Sequence, residues 1–214
     1  MFGVQFEDVQ GGGVKFGDLS GNFYGGEGQA SADNILVWKT DGYHFYYYGY
    51  WGDPENPDWD NIWYDADDND VSEETIGAGT ACWYLRRSAA AAALTISGAV
   101  RTTPLTTPIL ANDYPMFSNP YPTAIKFKDL TIASPFGGEG QASADNILVW
   151  KPDGYHFYYY GYWGDPENPD WDNIWYDADD NDVSEESIDA GLACWYLRRT
   201  GTATTLSFTS PLAD

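Results

Sequence analysis

Six carboxylates fall within ten residues, at Asp65, Asp67, Asp68, Asp70, Glu73 and Glu74, with no basic residue among them, and Asp177 to Glu186 repeats the arrangement. Side chains two apart in an open turn can converge as oxygen ligands. Asp65, Asp67, Asn69 and Asp70, with their twins Asp177, Asp179, Asn181 and Asp182, are therefore the candidate calcium ligands. At about 7 Å two like charges repel by roughly 0.6 kcal/mol in water, so a cation would relieve several such pairs at once. The spacing is not that of an EF-hand, because Asp70 stands where the turn glycine belongs and Ile76 where the bidentate glutamate should be. A looser calcium cage and a solvated acidic loop closed by Asx turns both stay open.

Other groups able to do chemistry are sparse. His44 and His156 are the only histidines, each alone among aromatics with no Cys or second His at ligand spacing. A hydrogen-bonded strand histidine is expected there, in preference to a zinc ligand or catalytic base. The chain has no nucleophile motif and no phosphate-cradling glycine loop, and nothing singles out a glycosidase-type carboxylate pair. No catalytic residue is assigned, and the chain is read as a non-enzyme. Cys82 and Cys194 sit beside Trp83 and Trp195 at equivalent places. Bonding them requires Cα atoms within about 7 Å, so buried free thiols are expected. Arg86-Arg87 and Arg198-Arg199 either meet acidic loops on a neighbour or compensate a nearby carboxylate.

The elements that must position these groups come in duplicate. Residues 25–87 recur as 137–199 at an offset of 112, with four changes in 63 positions: Thr40 to Pro152, Thr75 to Ser187, Gly77 to Asp189 and Thr80 to Leu192. Active sites are usually assembled once per chain, whereas a structural module gains from repetition. The expected organisation is two tandem, near-identical, antiparallel β-sandwich-like modules of an all-β protein, residues 1–102 and 103–214.

The balance of 33 acidic against 10 basic residues, net -23, repels phosphate backbones and anionic lipid, so nucleic acid is excluded as a partner. No stretch reaches the roughly 18 apolar residues of a membrane helix, and no membrane insertion is expected. Met1 to Gln10 lacks the basic-then-apolar layout of a signal peptide, which leaves another export route or a numbering that starts on the mature protein.

All ten tryptophans lie inside the two copies, in short segments bounded by Gly, Pro, Asn and Asp, the vocabulary of strands and turns. Ile35 to Trp38 reads as a strand, Thr40-Asp41-Gly42 as a turn, and Tyr43 to Trp51 as the return of a hairpin. Pro152 supports that turn, since proline is poorly tolerated inside a central strand. Gly52 to Asp58 reads as a stiff loop before a strand over Trp59 to Tyr64, and Ala81 to Leu85 as a core strand. Ala89 to Ala93 would be helix on propensity alone. Its twin Gly201 to Thr205 is threonine-rich, so both are read as strands. Arg101 to Pro108 reads as the joint between modules. If Thr107 to Pro115 contains a strand, the first module lacks its counterpart, leaving an edge open to another molecule; the rival readings give that place to Gln5 to Gln10, or make the edge short and solvated.

The series Ala32 to Trp38, Tyr46-Tyr47-Tyr48, Ile62 to Asp65, and Ile76 to Gly79 before Cys82-Trp83-Tyr84 resembles tandem β-rich repeat modules of secreted and surface proteins of environmental bacteria. Ser118 to Pro122 is similar to the segment that opens such modules, whereas Val4 to Asp8 departs from it, and Thr80-Ala81 intervene after the Gly-x-Gly turn. The resemblance implies an extracellular β-module and carries no catalytic residue.

Aromatics lie on both faces of the Tyr43 to Trp51 strand. With one face in the core, Tyr46, Tyr48 and Trp51, and their twins Tyr158, Tyr160 and Trp163, are the expected interface rings. The functional expectation is a structural subunit of an extracellular, fimbria-like filament or surface assembly, polymerising head to tail with itself through strand edges and aromatic contacts. The alternative is a secreted carbohydrate-binding or adhesion module that meets glycans through the same rings.

Overall fold

The computed structural model describes residues 1–7, 12–39 and 41–212. Among them the chain is all-β: its strands pair in several antiparallel sheets, and its helical turns are 3-10 segments of three residues. Two five-stranded sheets dominate. One runs in the order Phe2–Gly3, Ala81–Leu85, Asn34–Lys39, Gly42–Gly49 and Ile62–Tyr64; the other runs Met116–Ser118, Ala193–Leu197, Asn146–Lys151, Gly154–Gly161 and Ile174–Tyr176. Their registers agree, since Ile35 faces Tyr46 and Tyr84 just as Ile147 faces Tyr158 and Tyr196.

The central hairpin follows from its residues. Ile35 and Val37 alternate with Leu36 and Trp38, so one face is buried and the other turns outward. Gly42 and Gly154 start the return strands at φ 122° and 127°, which a side chain would strain. Pro152 and Asp153 form the second copy's turn. Thr40 lies outside the described residues, as does part of the Gln5 to Gln10 segment.

Each large sheet is covered by smaller ones. Val14–Lys15 pairs with Thr75–Ile76, and Ser20–Gly21 with Leu94–Thr95. Ile125–Lys126 pairs with Ser187–Ile188, while Thr204–Phe208 has Leu130–Ile132 on one side and Leu105–Ile109 on the other. Phe16, Ile35, Tyr46 and Trp63 fill the space on the N-terminal side, and Phe127, Ile147, Tyr158 and Trp175 on the C-terminal side. Cys82 and Cys194 are buried in these separate clusters as free thiols.

Three details differ from the sequence expectation. Trp59 ends the 3-10 turn Pro57–Trp59 and the strand starts at Ile62, because Pro57 presets the helical φ at the turn's first position. Ala89 to Ala93 is irregular, with only Leu94–Thr95 in a strand, and of the twin Gly201 to Thr205 only Thr204 and Thr205 join the strand Thr204–Phe208; bare methyl groups give a pleated face little to pack, whereas β-branched threonines suit it. The joint is also partly structural. Leu105–Ile109 is an outer strand, which is where Pro108 is tolerated.

The two halves meet through reciprocal contacts. Trp38 lies edge-on to Trp195 and Trp83 edge-on to Trp150, with centroids 5.2 and 5.8 Å apart. Gly3 N–H donates to the Gly191 carbonyl at 2.8 Å, and Ser118 N–H to the Gly79 carbonyl at 2.7 Å. Gly3 faces Ala81 as Ser118 faces Ala193, so both exchanges are one contact made twice. Such self-complementary pairing is the signature of a two-fold.

Candidate functional site

The acidic turns are organised by their own backbone. Asp65 Oδ1 accepts the N–H groups of Asp67 and Asn69, both at 2.9 Å, and the Asn69 amide donates to both carboxylate oxygens. Slight burial pushes the Asp65 carboxyl up, but the Asn69 side chain and the two backbone donors outweigh it and hold the group below its ordinary range. Asp70 accepts Ser72 N–H at 2.8 Å. Asp177, Asp179, Asn181 and Asp182 repeat every one of these bonds with Ser184. The expected calcium ligands Asp65 and Asn69 are thus each other's partners, and among the described residues no three His, Cys, Asp or Glu groups converge.

Beside this turn, Lys39, His44, Asp65, Asp67 and Glu74 line a cleft of about 350 Å³, with a twin of about 270 Å³. His44 Nε2 lies 2.8 Å from Asp41 Oδ1, the satisfied arrangement its surroundings suggested. Lys39 Nζ donates to the Tyr46 hydroxyl at 2.8 Å and stands 5.5 Å over that ring. In the twin, the hydrogen bond to Tyr158 pushes Lys151 up, the wrong direction for a general base.

The six expected interface rings lie at different depths. Tyr46 and Tyr158 are buried against Phe16 and Phe127, with centroids 4.4 and 4.6 Å apart. Tyr48 and Tyr160 are half-buried edge-on to Trp63 and Trp175. Trp51 and Trp163 are half-buried against Tyr64 and Tyr176. The rings turned outward are those one residue out of step, Tyr43 and Phe45. Tyr43 accepts the Trp83 indole N–H at 3.0 Å and reaches Met116 Sδ at 3.7 Å, so this face serves the seam between halves. Period-two alternation could have placed Tyr43 with Trp38 and Trp83; what it lacked was which face carried the core.

Two buried charge centres went unnoticed in the sequence. Asp33 accepts Tyr24 N–H, Arg87 N–H, the Tyr84 hydroxyl and the Arg86 guanidinium. Burial raises its carboxyl, but these donors outweigh that effect and hold it below the usual range. Arg86 is thereby the local partner of a carboxylate. Asp145, Tyr196, Arg198 and Arg199 repeat the cluster.

The sheet edges differ between halves. Thr204–Phe208 is covered on both sides, and Leu206, Phe208 and Tyr196 are fully buried. Its counterpart Leu94–Thr95 pairs only with Ser20–Gly21 among the described residues, and Leu94, Ile96 and Tyr84 are partly buried against the core. The inner side of this segment is tied to Asn22, which accepts Ala93 N–H and donates to the Ala91 carbonyl. Further along the same segment Phe6–Glu7 pairs antiparallel with Ala99–Val100, as Leu105–Ile109 pairs with Thr204–Phe208 in the other half, so part of the Gln5 to Gln10 segment does take that place; residues 8–11 lie outside the described residues.

No helix among the described residues is long and apolar enough to cross a membrane. No protein-family model matches this chain, and no curated protein or solved structure is similar to it.

Proposed function

We propose that the chain is a structural subunit of an extracellular filament or surface assembly, made of two tandem β-sandwich-like modules over residues 1–102 and 103–214. The observation that carries this reading is the unequal covering of one strand. Thr204–Phe208 is flanked on both sides, while among the described residues Leu94–Thr95 pairs on one side only and its continuation Ala99–Val100 meets just the two-residue strand Phe6–Glu7, with Leu94 and Ile96 partly buried. A strand so sparsely paired, with apolar neighbours, is a template for an incoming strand, here one from a second copy. The charge of -23 sets the condition for such association, because cations must gather between subunits before their surfaces can approach. Calcium held between acidic turns of neighbouring subunits is one form of that condition.

Electron microscopy of the purified protein, with calcium and with a chelator, tests the reading. Regular fibres support it, and single particles under every ionic condition overturn it. A synthetic peptide of residues 103–111, which includes the strand that covers Thr204–Phe208, should compete for the free side of Leu94–Thr95 and shorten the fibres. Fibres that grow equally well in its presence would place the contact elsewhere.

A further inference from the structure

A second feature, independent of the strand edge, sits at the corner where the Gly42–Gly49 strand leaves its sheet. Trp51, Trp59, Tyr64 and Asp68 line a cavity of about 270 Å³. The rings stand across one another: Trp51 meets Tyr64 at 4.9 Å and 78°. In the other half Trp163 meets Tyr176 at 4.8 Å and 77°, and Trp171 at 6.4 Å and 73°.

The corner is built to hold that shape. One carboxylate oxygen of Asp60 accepts Trp51 N–H at 2.6 Å and Gly52 N–H at 3.1 Å. The Tyr64 hydroxyl donates to the Trp59 carbonyl at 2.9 Å, fixing the loop that carries the outer ring. Asp68 sits at φ 62°, a left-handed conformation that Asp tolerates better than most residues, and accepts the Tyr47 hydroxyl at 2.6 Å. Asp172, Asp180, Tyr159 and Tyr176 repeat these bonds. Trp59 and Trp171 are each 49% exposed although they are large and apolar.

Three rings and one carboxylate select a particular chemistry. Aromatic faces attract a cation through their quadrupole, most strongly when its hydration is weak, and a nearby carboxylate adds to the attraction. A primary ammonium brings three N–H donors that need acceptors, and the side chains lining the cavity supply mainly carbon and one carboxylate. A sugar ring is served by a flat aromatic platform with several polar groups around it, whereas these rings are nearly perpendicular.

We propose that this corner, in both halves of the chain, binds a quaternary ammonium group, with Trp51, Trp59 and Tyr64 as its walls and Asp68 as its counter-charge. Trp163, Trp171, Tyr176 and Asp180 form the second site. The ligand class is a trimethylammonium head group, as carried by choline-type molecules.

Titration of the full chain with choline chloride and with tetramethylammonium chloride, followed by tryptophan fluorescence and calorimetry against equal sodium chloride, is the test. A saturable response is expected. The double variant Trp59→Ala/Trp171→Ala should weaken it about threefold or more, in keeping with a cation–π contact at a half-exposed ring. Asp68→Asn/Asp180→Asn, on the exposed turns, should weaken it independently while leaving the fold in place. The proposal fails if choline gives no saturable signal beyond the salt control. It also fails if both variants bind as the parent does, or if glucose or cellobiose saturates the site and choline does not.

Discussion

Trp38 packs edge-on against Trp195 with ring centroids 5.2 Å apart, and the twins of these residues, Trp150 and Trp83, meet in the same manner at 5.8 Å. The contact lies over Ala81 and Ala193, both fully buried in the same cluster. Trp195→Ala should destabilise the protein by about 3 kcal/mol, toward the low end for a core tryptophan because the ring is only partly buried. A double-mutant cycle with Trp38→Ala, followed by urea unfolding, should give a coupling of about 1 kcal/mol. Strict additivity would mean that the rings touch without stabilising the seam.

The two buried charge centres predict unequal costs. The Arg198 side chain is 1% exposed against 19% for Arg86, so its charge has less access to water once its carboxylate is lost. Asp145→Asn should therefore cost about 3 to 5 kcal/mol, and Asp33→Asn less. Chemical unfolding of the two variants decides the order.

Asp33 also fixes a pH dependence. Its carboxyl is held low in the fold, so the unfolded chain binds the proton more readily. The stabilisation is complete above the ordinary carboxylate range and is lost as pH falls, from about pH 4 downward. Glu185, pushed down to about 2 by Lys126 and Lys128, acts in the same direction. Melting temperature against pH should decline over that acid window in the parent. In Asp33→Asn it should start lower at neutral pH and decline less.

Asp60 pins two consecutive N–H groups at the aromatic corner. Asp60→Ala leaves them without that partner, at a cost of about 1 to 3 kcal/mol. Tryptophan emission should shift to the red as Trp51 gains water. A wild-type spectrum would show that the corner is held by its rings alone.

Cys82 and Cys194 lie in separate cores, and burial pushes both thiols far up. Thiol reagents should react only as fast as the protein unfolds, and mobility on gels should be the same with and without reductant. Rapid labelling of either cysteine in the folded protein would contradict its placement.

Much of the strand pattern could be read from the chain. The alternation of Ile35 and Val37, the glycine turns and the aromatic return strand all reflect local sterics and period-two burial. Harder to read was which ring of an unbroken aromatic run faces inward. Tyr43 through Tyr48 are large at every position, so nothing local distinguishes Tyr46, buried on Phe16, from Tyr43, turned to the seam. The partner of Arg86 was hidden for another reason: Asp33 is 53 residues away in sequence, and only the pairing of Asn34–Lys39 with Ala81–Leu85 brings them together. The corner at Trp59 was obscured because Pro57 and Asp58 read as loop, whereas the turn they form is what presents the ring.

Gly3 to Gly191 and Ser118 to Gly79 are a single interaction made twice by one chain. Two free proteins that met through such a face would part on dilution. Joined by one backbone, the partners stay at a fixed effective concentration, so this docking is insensitive to how much protein is present. Any wider association, by contrast, must follow mass action, and the two processes can be told apart by dilution alone.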